Sequence, residues 1–234
     1  MKDLNQPQRP RQISEYAQAC LEVLSTSDLA KHVSLGGAFG LAHYFEYRAT
    51  HDIDAWWVEP ITQNEQQQVI QLVENSLRSF GDVRIRSWGD VTSVELAREK
   101  KVVFSFQIAQ RSAELHSPTS SPWGNVQLDT LDDLIASKMN ALIERGAPRD
   151  FLDIYTLCQQ NLCDVARCWQ LWTERQHLSG DDADRQRAIL AIRTHLTRLE
   201  QSRPLMKITD QGQRQSAEQV REWFKKEMLH DLSN

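Results

Sequence analysis

The sequence predicts an α+β fold, in which a mixed sheet is followed by a C-terminal helical domain. Two observations carry this. Between residues 33 and 108 short alternating apolar runs interleave with helical periods, whereas beyond residue 125 the pattern is helical almost throughout. The break between them, HSPTSSPWG from His116 to Gly124, is a loop by composition. Domains are accordingly expected at 13–115 and 125–234.

Taken in order, Ile13 to about Lys31 reads as an amphipathic helix, and Val33-Ser34-Leu35 as a short strand halted by Gly36-Gly37. Ala38, Leu41, Ala42 and Phe45 then recur at helical spacing. From His51 to Val58 the chain alternates, with Ile53, Ala55 and Trp57 on one face and Asp52, Asp54 and Trp56 on the other, until Pro60 ends the strand. Thr62 to Ser79 is expected to be helical, and Val83–Trp88, Thr92–Ala97 and Val102–Ile108 to form a meander. In the second half, Thr130 and Asp133 make a capping box for a helix that Gly146 stops, and Pro148 suits the first turn of the next. Further helices are expected near Asp164–His177, Ala183–Gln201 and Ser216–Leu229.

At 234 residues the chain can bury a core without covalent staples. Cys20, Cys158, Cys163 and Cys168 contain no CxxC pair. The last three recur every five residues in a region read as helical, a spacing that does not gather thiolates around a metal, so all four read as small buried hydrophobes in a reducing cytosol. No apolar run approaches the ~18 residues of a membrane helix, and the start MKDLNQPQRPRQ has no apolar signal-peptide core. A cytoplasmic protein with no membrane partner is expected. The net charge of -5 argues against a general nucleic-acid coat. Asp184 to Lys207 carries six basic side chains against two acidic ones, which suits either a solvated helix face or a local basic surface.

The residue types with chemical potential are two aspartates at i and i+2. On a strand, Asp52 and Asp54 point to one side with Cα atoms about 6.5 Å apart, close enough to share a divalent ion. Aspartates facing solvent on an edge strand give the same pattern. Upstream, strand, Gly36-Gly37 and helix form a turn whose backbone N–H groups can cradle phosphate, or which is structural only. In the C-terminal half, Lys138 interrupts the stripe of Leu131, Leu134, Ile135, Leu142 and Ile143; it either snorkels to water or reaches a triphosphate. Asp150 intrudes in the apolar arc of Phe151, Ile154, Tyr155 and Cys158, with Asp153 at its edge. A first-turn position also suits Asp150 through the helix dipole alone.

Two blocks of these residues carry a family resemblance. LGGAFGLAHYFEYRATHDIDAWW resembles the signature of AbiEii/AbiGii toxin-like nucleotidyltransferases, a branch of the polymerase-beta-type superfamily. Its Arg48-Ala49-Thr50-His51 precedes Asp52-Ile53-Asp54, with threonine where serine is usual. LDDLIASKMNALIERGAPRDFLDIYTL is similar to the family's later block, which Lys138, Arg145, Asp150 and Asp153 match. The resemblance implies a nucleotidyltransferase palm and a helical domain contributing to its cleft. It places Asp52 and Asp54 on Mg2+ or Mn2+, Gly36, Gly37, Arg48 and Lys138 at the triphosphate, and Asp150 with Lys138 as completing residues. Family members serve as toxins of toxin–antitoxin or phage-defence systems, and some modify tRNA ends. One departure stands out: the superfamily's third carboxylate on a later central strand is missing from Val102–Ile108, where Glu95 on the preceding strand is the nearest substitute.

The function expected is transfer of a nucleoside monophosphate from an NTP to an acceptor hydroxyl of a tRNA end, a protein or a small molecule. A cognate antitoxin would be a partner. Two other classes compete: glycosyl transfer, in which a DxD also holds a metal and a nucleotide sugar, and a catalytically degraded transferase fold that binds a partner protein or RNA.

Overall fold

The computed structural model describes residues 6–229, so the first five residues of the polar N-terminal stretch lie outside it. The chain forms two compact units, one ending at Leu134 and one beginning at Ile135.

In the first unit Ser14 caps α1 (Glu15–Ser25) by accepting the Ala17 N–H. The single helix expected to reach Lys31 is two pieces. Ser25 and Thr26 donate their hydroxyls back to the carbonyls of Glu22 and Val23, and a 3-10 turn over Asp28–His32 follows. Hydroxyls that bond locally compete with helix continuation. Next come β1 (Val33–Leu35), α2 (Gly37–Ala42), β2 (Ile53–Trp57) and α3 (Gln63–Leu77), the last opened by reciprocal Thr62 and Glu65 capping bonds. The expected meander is β3 (Asp82–Trp88), β4 (Val91–Arg98) and β5 (Lys101–Ala109). Two short strands, β6 (Thr119–Ser120) and β7 (Gln127–Leu128), complete a seven-stranded sheet ordered β3-β4-β5-β2-β1-β7-β6. The sheet is mixed: β2 runs parallel to β5 and β1 parallel to β7, while the other pairs are antiparallel.

Period-2 alternation gives this sheet one apolar and one polar face. Leu35, Ile53, Ala55, Phe104, Phe106, Ile108 and Leu128 share a core with Leu21 and Leu24 of α1 and with Val69, Val73 and Leu77 of α3. The last three, spaced four apart, are fully buried, and each such side chain removed from water contributes about 1.5–3 kcal/mol. On the opposite face the register sets Ser34 opposite Trp56 and Gln127, Asp54 opposite Gln107, Gln107 opposite Ser93, and Ser105 opposite Glu95.

The Thr130 cap is half of the box expected. Thr130 Oγ1 accepts the Asp133 N–H at 3.3 Å, but the Asp133 carboxylate takes the Leu115 and His116 N–H groups at 2.9 and 3.1 Å and so ties down the preceding loop. The helix it opens, α4 (Leu131–Glu144), contains the division between the two units.

The second unit is helical: the remainder of α4, then α5 (Pro148–Gln159), α6 (Val165–Ser179), α7 (Arg185–Ser202), α8 (Gln211–Trp223) and a π turn over Phe224–Met228. Asp164, Asp184 and Asp210 cap three of these helices through the N–H groups of Arg167, Arg187 and Gln213. Gly146, at φ +53°, ends α4, and a Cβ there would meet the His195 ring. Phe151 and Phe224 pack edge to face at 4.8 Å in its core. From the basic stretch, the Arg185 guanidinium lies 5.0 Å from the Trp169 ring centre and Arg193 donates to the Leu229 carbonyl at 3.0 Å, so part of that charge is committed to packing.

Three of the four cysteines are not the separate buried hydrophobes expected. Cys20 is a buried hydrophobe, its thiol pushed up to about 12 by burial, but the other three are brought together. Their sulfurs lie 3.3 to 3.9 Å apart. The five-residue spacing is carried by a turn rather than a helix: α5 stops at Gln159, Asn161 takes φ +55°, and α6 starts only at Val165.

Candidate active site on the polar face of the sheet

Asp54 lies on β2, and Asp52 immediately precedes it, on the exposed approach to the strand. Asp52 is oriented by β5. Its Oδ1 accepts both the Ser105 N–H at 3.1 Å and the Ser105 hydroxyl at 3.0 Å. Parallel pairing of Ile53 with Phe106 brings the preceding residues, Asp52 and Ser105, side by side.

The glycine turn is built against the same carboxylates. The Gly36 N–H donates to the Asp54 carbonyl at 2.8 Å, extending the β1–β2 ladder by one residue. Gly37 has φ +59°, and a Cβ on it would collide with Asp54 Oδ2 and stand 2.8 Å from the Asp54 Cβ. At Gly36 a Cβ would run into the Trp56 indole Nε1. Both positions therefore need glycine, one for conformation and space, the other for space alone. Arg48 is half-buried on the connection between α2 and β2, its guanidinium 5.7 Å from the Tyr47 ring centre.

Sequence reasoning missed Asp129. It is 1% exposed and follows β7, where its N–H donates to the Leu35 carbonyl at 3.0 Å. Oδ1 takes the Ser34 hydroxyl at 2.6 Å and the Arg111 guanidinium, which also approaches Asp133 at 3.5 Å. Oδ2 is buried with no hydrogen-bond partner among the described residues, and it lies 3.2 Å from where a Gly36 Cβ would be. Burial pushes the Asp129 carboxyl above the usual range, against the pull of Arg111. Parallel pairing of β1 with β7 delivers this group, and a two-residue strand leaves no periodic signal in sequence.

The third carboxylate is absent from β5, as the sequence indicated: Ser105 and Gln107 occupy the positions facing Asp52 and Asp54. Glu95 is on the same face, paired with Ser105, and its carboxylate is 3.4 Å from Arg86 Nε. It lies two strands from β2, about 10 Å at the usual strand spacing, with β5 between them.

In the helical unit, Lys138 is 6% exposed and its Nζ is 2.7 Å from Asp153 Oδ2, itself fully buried. Asp153, not Asp150, orients Lys138. Asp150 sits in the first turn of α5 and points backwards, accepting the Ala147 N–H at 3.0 Å and two bonds from Arg145 at 2.8 and 2.9 Å. Asp153, one turn later, meets the lysine that interrupts the α4 stripe.

Among the described residues no helix is long and apolar enough to cross a membrane. The model of one protein family, described as Nucleotidyl transferase AbiEii toxin, Type IV TA system, matches residues 19–226. A comparison with curated proteins found no match.

Proposed function

Because the chain belongs to the AbiEii nucleotidyl transferase toxin family, of type IV toxin–antitoxin systems, we propose that it transfers a nucleoside monophosphate from an NTP to an acceptor hydroxyl. The observation that carries this reading is the pairing of Asp52, anchored by Ser105, with Asp54, packed against Gly37. Two carboxylates spaced two residues apart on an extended segment fit Mg2+ or Mn2+, hard ions that take oxygen donors and leave positions for phosphate. Such an ion, when bound, supplies charge neutralisation on the triphosphate.

The remaining work falls to the chain. Gly36 and Gly37 let backbone approach the phosphates without a side chain between, and Arg48 adds positive charge on the connection leading to Asp52. In the helical unit Asp153 orients Lys138, and Asp150 holds the start of α5 through Arg145 and Ala147. The acceptor hydroxyl oxygen bonds to the α-phosphorus as the bond from that phosphorus to the αβ-bridging oxygen breaks, pyrophosphate leaves in line, and the hydroxyl proton is released to solvent. Acceptors by chemistry are a tRNA end, a protein hydroxyl or a small molecule. A cytoplasmic location and a cognate antitoxin partner complete the proposal.

A second reading, a transferase fold that binds a partner protein or RNA without catalysis, is favoured by Ser105 and Gln107 standing where a third carboxylate would help. Asp129, with its orphaned oxygen toward the glycine turn, speaks against it. Incubation with each α-labelled NTP, Mg2+ and total cell RNA or protein, beside an Asp54→Asn control, decides between them. Label in one fraction with wild type alone supports transfer. No label in any fraction sinks transfer and leaves the binding reading.

A further inference from the structure

Three of the four cysteines converge in the helical unit, where the proposed transfer reaction makes no use of them. They come from three segments: Cys158 from the last turn of α5, Cys163 from the connection and Cys168 from α6. The backbone, not the sulfurs, fixes the turn between them. Leu162 donates its N–H to the Leu157 carbonyl at 3.0 Å, Asn161 to that of Cys158 at 3.1 Å, and Asp164 caps α6 through the Arg167 N–H at 2.7 Å.

We propose that Cys158, Cys163 and Cys168 form a three-thiolate site for a thiophilic d10 cation, zinc, with the fourth position left to water. Zn–S bonds of ~2.3 Å in a tetrahedron set sulfurs about 3.8 Å apart. Cys158 lies 3.9 Å from each of the other two, and Cys163 and Cys168 at 3.3 Å need to open by about half an ångström. A disulfide would need a separation of ~2.05 Å and would leave the third thiol out. Cys168 is buried while Cys158 and Cys163 are half-buried, so the ion has a protein floor and an approach from one side. Three thiolate ligands suit a tetrahedral zinc with one open position. The ion would clamp the end of α5 to the start of α6.

The test is metal analysis of the full chain, purified without a metal-binding tag under reducing conditions, then stripped with a chelator and titrated with Zn2+ and Co2+. About one zinc per chain is expected, with an intense thiolate-to-cobalt charge-transfer band in the Co2+ form. Cys163→Ser and Cys158→Ser should lose both signals with circular dichroism unchanged, and Cys20→Ser should keep both. The proposal is overturned by stripped wild type that takes up no zinc, by a Cys163→Ser variant that binds as well as wild type, or by loss of zinc in Asp52→Asn instead. A Cys163–Cys168 disulfide in freshly prepared reduced protein also overturns it.

Discussion

Acidification should destabilise the sheet unit through one side chain, His43. This histidine is 2% exposed, with Nε2 2.8 Å from the Trp123 indole N–H and Nδ1 2.9 Å from the Phe39 carbonyl. The indole can only donate, so Nε2 accepts and the ring is neutral with its proton on Nδ1. A second proton would face the indole N–H in a buried site, and burial holds the pKa at about 4, against 6.5 when unperturbed. The unfolded chain thus takes a proton near pH 6.5 that the folded chain refuses until about pH 4. Stability falls as pH drops through this window and levels off below it. Linkage over that interval gives a loss of about 3 kcal/mol by pH 4 relative to pH 8. His43→Gln supplies a reference, because an amide can accept from Trp123 and donate to Phe39 without titrating. Urea unfolding of both proteins, followed by circular dichroism in steps from about pH 8 to pH 4, should show wild type losing about 3 kcal/mol more than the variant. Parallel pH profiles would refute the buried, indole-bonded state of His43.

Three further outcomes follow from the same geometry. Gly37→Ala should cost about 1–2 kcal/mol in thermal unfolding for a left-handed alanine, and should abolish Mg2+-dependent NTP binding by displacing Asp54. Lys138→Met should cost roughly 3–5 kcal/mol, because Asp153 stays buried without its ammonium, and Lys138→Met with Asp153→Leu should recover most of it in the same unfolding assay. Ser105→Ala keeps the backbone bond to Asp52 and should change stability by no more than about 1 kcal/mol, yet weaken metal-dependent NTP binding about tenfold by calorimetry.

Much of this was legible in sequence wherever burial imposes a period. Ile53, Ala55 and Trp57 alternate with Asp54 and Trp56 because one face of β2 packs on helices, and the structure keeps that alternation. The helices expected to begin near Thr62 and Asp164 do so, each opened by that residue's own capping side chain. What escaped was contact between segments distant in the chain. Asp129 reaches the Gly36 turn through a parallel pairing with β1, and Ser105 reaches Asp52 through another; neither strand pairing leaves a mark in local periodicity. The cysteines were misjudged because a single left-handed residue, Asn161, turns an even spacing into a cluster. Asp150 and Asp153 differ by one helical turn, and only the packed helices distinguish the residue that caps α5 from the one that holds Lys138.

In the proposed reaction Asp52 and Asp54 hold a divalent ion together with a triphosphate. Mn2+ titration with a non-hydrolysable NTP analogue, read by electron paramagnetic resonance, tests it on wild type, Asp52→Asn and Asp54→Asn. Wild type should bind Mn2+ more tightly when the analogue is present, and either variant should lose that enhancement by more than about tenfold. Equal Mn2+ and nucleotide affinities in wild type and both variants would contradict it.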